Sequence, residues 1–368
     1  MCIVKQLNSP TGKTVLANRR GVAILVAIGV VAVLLTAGLA LNRRIRSSVT
    51  GALLARERVV LSEMAVSGVH AAMVMLINDR KENDTDTLQE DWAKPEKVTE
   101  VMGLLIPYDE GRVDVRITDE RGKIQVNALV KFPEGQQFSA SQRFLWERLL
   151  DQVFSLFEAV PDSDPNMIIN SLKDWMDSGD DEAITGLSGA ESDYYEGLEP
   201  PYQCKNGPFD HLGEVALVQG ITPELFTGAG GATGLSSLLT VHGVSAVGDG
   251  RFTYDGKINI STADVAVLAA LLPAENSDLA EALADYRVAK ADEAYTHTIS
   301  NAGWYKNVPG AGGIAISPDL VTVSSDLFRI VSTATRNERT TTVNVVVQRV
   351  KEQDTGRWIC KTLMWQVE

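Results

Sequence analysis

RRGVAILVAIGVVAVLLTAGLAL (residues 19–41) opens on two arginines and a glycine, then runs from Val22 to Leu41 without a charge. At about 1.5 Å per helical residue that run is about 30 Å long, enough to cross the hydrocarbon of a bilayer. A secretory signal would be shorter and would end in a small-residue cleavage site. This run instead passes straight into Asn42-Arg43-Arg44-Ile45-Arg46. The expectation is a membrane span that stays on the mature protein. Beyond it, Ile45, Val49, Leu53, Val60, Met64, Ala71 and Met75 continue one apolar stripe, and no proline intervenes before Asn78. A single helix over residues 22–78 would be about 85 Å long, half of it outside the lipid. Such helices are common in subunits that pack into filaments.

The stretch after Asn78 is polar and reads as a solvated connector anchored by Trp92. Gly111-Arg-Val-Asp-Val-Arg-Ile-Thr118 alternates apolar and polar with period two, a half-buried strand. Asp119-Glu120-Arg121-Gly122 reads as a turn and Lys123-Ile-Gln-Val-Asn127 as the partner strand of a hairpin. From Ser139 the pattern becomes helical. Leu145, Leu149, Leu150 and Val153 mark one helix, and Ile168, Ile169, Leu172, Trp175 and Met176 a second. A third covers Leu212 to Val218, and a fourth starts at Thr262 as N-cap. Period two returns in Phe328–Thr333, Thr342–Gln348 and Trp358–Trp365, with Phe328, Trp358 and Trp365 expected on a buried face. The fold class is therefore α+β. The expected order is a leader (1–21), a span (22–41), its helical continuation (42–78), the first part of a small sheet domain (79–134), an inserted helical domain (135–320), and C-terminal strands that complete the sheet (321–368).

Length and charge narrow the function. The chain has 368 residues and a formal net charge of −14, with 45% apolar and 22% charged residues, the profile of a folded protein. Residues 1–21 hold Lys5, Lys13, Arg19 and Arg20 and no acid, so the remainder stands at −18. That balance argues against sequence-independent nucleic-acid binding, which needs a basic face. Three cysteines exclude a disulfide-stapled scaffold, and with Cys2 in the leader the only pair available for a disulfide is Cys204 with Cys360. Catalysis finds no constellation. His70, His211, His242 and His297 are isolated, and no HExxH, GxSxG, P-loop or dinucleotide fingerprint occurs in a fitting context. The expectation is a protein that is not an enzyme.

The densest polar feature is Asp174-Trp-Met-Asp177-Ser-Gly-Asp180-Asp181-Glu182, followed by Glu191-Ser-Asp193. The six carboxylates from Asp177 to Asp193 repel one another unless a cation neutralises them. Flexible carboxylate and carbonyl oxygens suit calcium better than zinc or copper, although a solvated acidic loop has the same composition. The register is not that of an EF-hand.

Several blocks resemble a known family. Arg19-Arg20-Gly21 before Val22-Ala23-Ile24-Leu25 is similar to a type IV prepilin cleavage site, which implies cutting after Gly21 by a membrane prepilin peptidase and methylation of Val22. The fifth mature residue, usually Glu in pilins, is Val26 here, a departure typical of the K component of type II secretion. DTLQEDWA (86–93), TDERGKIQVNAL (118–129), DWMDSGDDE (174–182), GAESDYYE (189–196), PPYQCKNGPFDHLGEV (200–215) and INISTADVAVLAAL (258–271) resemble that K family in the same order. The resemblance implies a pseudopilin-like α/antiparallel-β domain carrying an inserted all-helical domain of helix-hairpin-helix (SAM-like) type. It implies calcium bound by Asp177, Asp180, Asp181, Glu191 and Asp193; Gly179 interrupts the family's aspartate spacing, so all three aspartates before Glu182 remain candidates.

It further implies a minor pseudopilin at the tip of the periplasmic pseudopilus, acting with minor pseudopilins I and J to initiate assembly for export of folded proteins across the outer membrane. The chain would then cross the bacterial inner membrane once, with its body in the periplasm and no nucleic-acid partner. Without the intramembrane Glu, a subunit cannot neutralise the terminal amine of a neighbour above it, which places it at a filament end. The alternative is a membrane-anchored helix-hairpin-helix DNA-binding protein of a DNA-uptake or type IV pilus system. Against it, the hairpin after Leu272 reads Pro-Ala-Glu-Asn-Ser, with an acid and no glycine to let backbone N–H groups meet a phosphate.

Overall fold

The computed structural model describes residues 19–105, 111–156, 164–177, 179 and 184–368. The chain forms two compact units, the first ending at Val60 and the second running from Leu61 to Glu368. The first unit contains the opening part of helix α1 (Arg19–Glu82). Its large apolar side chains are uncovered by protein, Leu25 for example being 71% exposed. The helix is long and apolar enough to cross a membrane. It ends four residues beyond the expected Asn78, with Arg80 and Lys81 in its last turn, where cations complement the carbonyl end of the helix dipole.

In the second unit, α1 buries Leu61, Met64, Ala65, Val69, Ala72 and Leu76, a three-four spacing that makes one helical face. That face packs on the sheet. A Cβ on Gly68 would stand 2.2 Å from Ser332 Oγ and 2.9 Å from Val113 Cγ1, so only glycine permits this close approach of helix to strands. The chain then makes a 3-10 turn at Asp91–Ala93, helix α2 (Pro95–Leu105) and strand β1 (Arg112–Asp119), whose residues alternate exposed and buried along its length. The helix α2 lies inside what reads as a solvated connector.

Strand β1 does not form the expected hairpin. Asp119 accepts from Arg121 N–H at 2.8 Å, a 3-10 turn follows at Glu120–Gly122, and β2 (Ile124–Gln125) leaves the sheet. The cause is burial: Ile124, Val126, Leu129 and Val130 all enter the core of the inserted domain, which thus begins ahead of residue 135. Helices α3 (Ala140–Leu156), α4 (Pro165–Met176), α5 (Ser192–Glu196), α6 (Pro223–Thr227) and α7 (Leu235–Leu238) follow. The segment Leu212–Leu217 is a 3-10 helix where an α-helix is expected.

The insertion is not all-helical. Strand β3 (Leu239–Thr240) pairs in parallel with β2, and β4 (Val244–Gly248) with β5 (Arg251–Tyr254) forms a hairpin. Next come β6 (Ile258–Asn259), α8 (Val265–Leu271), α9 (Leu279–Val288), the small hairpin β7 (Lys290–Ala291) and β8 (Ala294–Tyr295), and β9 (Val321–Thr322), parallel to β6. Asp264, not Thr262, caps α8, its carboxylate accepting from Ala266 N–H at 3.0 Å. The Thr262 hydroxyl is taken by Asp119 at 2.7 Å.

The chain returns to the sheet in β10 (Leu327–Arg336), β11 (Arg339–Lys351) and β12 (Trp358–Val367), giving the antiparallel order β1-β10-β11-β12. The partner of β1 is therefore β10, with Val115 opposite Ser332 and Ile117 opposite Ile330. The inserted domain is spliced between these neighbouring strands. Phe328 is buried as expected, but Trp365 is 42% exposed because β12 is an edge strand, and Trp358 lies half-buried under the Arg80 guanidinium at 5.2 Å.

Candidate metal centre and anchor

Helix α4 starts where Asp164 accepts from Asn166 N–H at 2.9 Å and Pro165 occupies the first turn. Its apolar residues Ile168, Ile169, Leu172, Trp175 and Met176 are buried, which fixes the rotation of the helix and so places Asp174 and Asp177 three residues apart at its end. Trp175 stacks on Phe209 at 6.1 Å and meets the buried Tyr195 edge-on at 5.1 Å. Because Tyr195 belongs to α5, this aromatic contact brings the α5 N-cap, Glu191, to the end of α4.

One carboxylate oxygen from each of Asp174, Asp177 and Glu191 lies within 4.8 Å of the others. Asp174 is buried, and both its oxygens accept from Thr185 N–H at 3.1 Å; burial pushes its pKa above the usual carboxylate range. Asp177 Oδ2 accepts from Lys173 Nζ at 2.6 Å, while Asp177 Oδ1 is buried with no hydrogen-bond partner among the described residues. A Cβ on Gly189 would stand 1.9 Å from Asp174 Oδ2, so the turn closes on this carboxylate only because it carries glycine. Carboxylate oxygens, one of them buried and unbonded, fit a hard divalent cation. The nearby Cys204 thiol is no rival ligand, since burial pushes its pKa up to about 12 and its Sγ donates to Asp174 O at 3.6 Å.

Of the expected ligands, Asp177 and Glu191 come together here, whereas Asp193 is exposed and outside the group. Asp180 and Asp181 lie outside the described residues. Asp174, absent from the expected ligand set, is the third member. Its three-residue spacing from Asp177 on a helix with a defined apolar face was the signal that could have found it.

Gly21 and Val22 lie in the first turn of α1, and residues 1–18 of the leader fall outside the described residues. Cys204 and Cys360 do not form a disulfide. Cys204 is buried against Asp174, whereas the Cys360 Sγ, on β12, donates to Met73 O of α1 at 3.7 Å. Both thiols serve as packing groups. At the turn after α8, Arg148 Nη1 donates to the carbonyls of Leu271 and Leu272 at 3.0 and 2.6 Å, so that cation is spent inside the fold. Nothing in this geometry favours the nucleic-acid alternative. His297 is a packed residue, stacked on Tyr286 at 3.6 Å.

Residues 122–229, which contain the whole carboxylate group, match the family model described as Type II secretion system (T2SS), protein K. The chain is 26% identical over 169 residues to the type II secretion system protein K of Aeromonas hydrophila, covering 44% of this chain and 47% of that one. It is 24% identical over 268 residues to the protein of the same description from Klebsiella pneumoniae, covering 70% and 72%. The chain thus spans about half the length of the first of these relatives. Among solved structures it is similar to the GspK-GspI-GspJ complex of enterotoxigenic Escherichia coli, with a TM-score of 0.60, 20% identity, and coverage of 85% of this chain and 97% of that one. That likeness supports the α+β fold with its insertion, and the family resemblance carried by the sequence blocks is borne out.

Proposed function

We infer that this chain belongs to the type II secretion protein K family and that it acts as a minor pseudopilin at the tip of a secretion pseudopilus. The observation that carries the reading is the splice between β1 and β10, where a domain with the K-family signature is inserted into a sheet packed on the part of α1 that belongs to the second unit. An insertion of this bulk obstructs stacking of identical copies along a filament and is tolerated at its end. Val26, in place of an intramembrane acid, supports the same position. The role is assembly, not catalysis, and minor pseudopilins I and J are its partners. This follows the solved relative, which is a complex with GspI and GspJ.

The leader directs cleavage after Gly21 and methylation of Val22, leaving a single-pass inner-membrane anchor with the body in the periplasm. Calcium is the resident ion of the Asp174–Asp177–Glu191 group, where it would neutralise the converging carboxylates. This chain's own residues tie the end of α4 to the start of α5 there, with Asp177 Oδ1 the acceptor left free for a cation.

Co-purification of the full chain from detergent with tagged I and J components is the decisive experiment. Recovery of a stoichiometric complex is expected, and failure of both partners to associate would overturn the tip assignment. Mass spectrometry of the membrane form should find methylated Val22 at the N-terminus. Chelation should lower the melting temperature, and calcium should restore it better than magnesium.

A further inference from the structure

The polar stretch after α1 is where the sheet domain and the insertion are fastened together. Asp79 at the end of α1 and Asp86 and Glu90 in the connector each place a carboxylate oxygen within 4.8 Å of the other two. One buried guanidinium serves them. Arg349 of β11 donates from Nη1 to Asp79 Oδ2 at 3.0 Å and from Nη2 to Asp86 Oδ1 at 2.5 Å. Glu90 has no share in it; its Oε2 accepts from Thr87 N–H at 3.1 Å and from Trp92 Nε1 at 2.7 Å. One residue away, Gln89 Nε2 donates to the carbonyls of Arg287 and His297 in the insertion, at 2.7 and 2.9 Å. The residue that grips the insertion and the third carboxylate are thus adjacent in the chain.

Among the described residues, the surrounding charges do not compensate Glu90. The cavity of about 520 Å³ beside it is walled on its polar side by Glu82 and Asp91 as well as Asp79. Arg80 is engaged by Asp84 at 3.1 Å, and Lys94 by Asp91 at 3.1 Å. The face of α2 toward this cavity offers Val101, and that of α1 offers Ala71, Val74 and Met75. Behind Asp86 stands Asp119 at the end of β1, reached through Ser325, whose N–H donates to Asp86 Oδ2 at 2.7 Å and whose hydroxyl donates to Asp119 Oδ1 at 2.6 Å. The insertion meets these acids with uncharged groups, Asn259 Nδ2 at 2.8 Å and the Thr262 hydroxyl at 2.7 Å from Asp119 Oδ2. A second cavity beside Asp119 is lined by Arg116, Lys123 and Asp264.

We propose that Glu90 is the proton-bearing member of a clasp, fastening the connector and the insertion to the sheet domain when neutral and loosening them when ionised. Three converging carboxylates with one guanidinium, bonded to two of them, repel one another, and a proton on the third relieves that repulsion. Burial and the neighbouring Asp79 raise the Glu90 pKa to about 7, and burial raises Asp86 and Asp119 to about 6 each. An acid whose folded pKa is raised binds its proton more tightly in the folded state. Its stabilising contribution is therefore greatest at low pH, declines as pH rises from the ordinary carboxylate range, and is gone above about 7.

The test uses the full chain in detergent at fixed calcium, read by melting temperature and by hydrogen exchange of residues 83–94 and 286–298. Between pH 6 and pH 8 the melting temperature should fall, and the protection factors of both segments, taken relative to the intrinsic exchange rate at each pH, should drop about tenfold, the change expected for each pKa unit displaced. Glu90→Gln keeps an acceptor for Thr87 and Trp92 but carries no charge, so its fall between pH 6 and pH 8 should be less than about half that of the wild type, the remainder coming from Asp86 and Asp119. Asp79→Asn, which relieves the repulsion from the neighbouring side, should diminish the same fall. A wild type with no pH response, or two variants that keep the full response, would overturn the proposal.

Discussion

Asn127 and Phe209 exchange two hydrogen bonds, Phe209 N–H donating to Asn127 Oδ1 at 2.7 Å and Asn127 Nδ2 donating to Phe209 O at 3.0 Å. The two residues are 82 positions apart, and Asn127 is fully buried. A single side chain thus serves the backbone as a neighbouring strand would. It ties the segment leaving β1 to the loop that presents Phe209 to Trp175, and so to the end of α4.

Asn127→Ala removes the side-chain half of both bonds and leaves the N–H and carbonyl of Phe209 unsatisfied beside a small void. The expected loss is about 3 kcal/mol, from the desolvation cost of stranded polar groups. Equilibrium unfolding of the detergent-solubilised full chain would measure it. A loss below about 0.5 kcal/mol, the ordinary range for surface substitutions, would mean that Phe209 is held by its ring alone.

Gly189→Ala tests the turn over the carboxylate group. The new Cβ would meet Asp174 Oδ2 at 1.9 Å and Thr185 N at 2.9 Å, so the turn must open or Asp174 must shift. A destabilisation of about 2 kcal/mol is expected, typical of overpacking at a rigid site. The same variant should lose most of the melting-temperature gain that calcium gives the wild type. A variant as stable and as calcium-responsive as the parent would place Asp174 outside the ion site.

The anchor helix, the sheet strands and α4 were legible in the sequence because each repeats a single period over many residues. The hairpin after β1 was misread for a local reason. Ile124 and Val126 alternate with polar residues as a half-buried strand does, yet Gln125 and Asn127 are themselves buried and bonded to backbone 82 or more residues away. Alternation reports burial of one face and is silent on polar residues satisfied by distant partners. Asp264 beat Thr262 as the α8 cap on similar grounds, since the Thr262 hydroxyl was needed by Asp119 across the domain junction. The carboxylate group was half legible. Composition located the acidic stretch, but Asp174 belongs to it through the rotation of α4, and Asp193 falls outside it because it points outward at the start of α5.

The cysteines make a direct chemical prediction. Cys204 and Cys360 are free and contact different elements, so a reductant should leave the melting temperature of the chain unchanged. Under denaturing conditions without reductant, a thiol reagent should label both of them, together with Cys2 where the leader is retained. In the folded state Cys204 should react slowly, because burial pushes its pKa up to about 12 and little thiolate is present. A single modified thiol in the denatured, leader-free chain would contradict this arrangement.

Lys173 occupies the site in a way that bears on the ion. Its Nζ stands 2.6 Å from Asp177 Oδ2 and 2.9 Å from Thr185 Oγ1, so it supplies the positive charge that a bound cation would otherwise provide. An ammonium and a calcium ion sharing Asp177 repel each other, and the amine must be displaced or tolerated when the ion binds. Lys173→Met keeps the length of the stem but removes the charge. The expected result is tighter calcium binding by about tenfold, equivalent to about 1.4 kcal/mol. Chelation should also depress the melting temperature more than in the wild type, because Asp177 then has no internal cation to fall back on. Calorimetric titration of the full chain and the variant would decide. Weaker binding in the variant would show instead that Lys173 orients Asp177 for the ion.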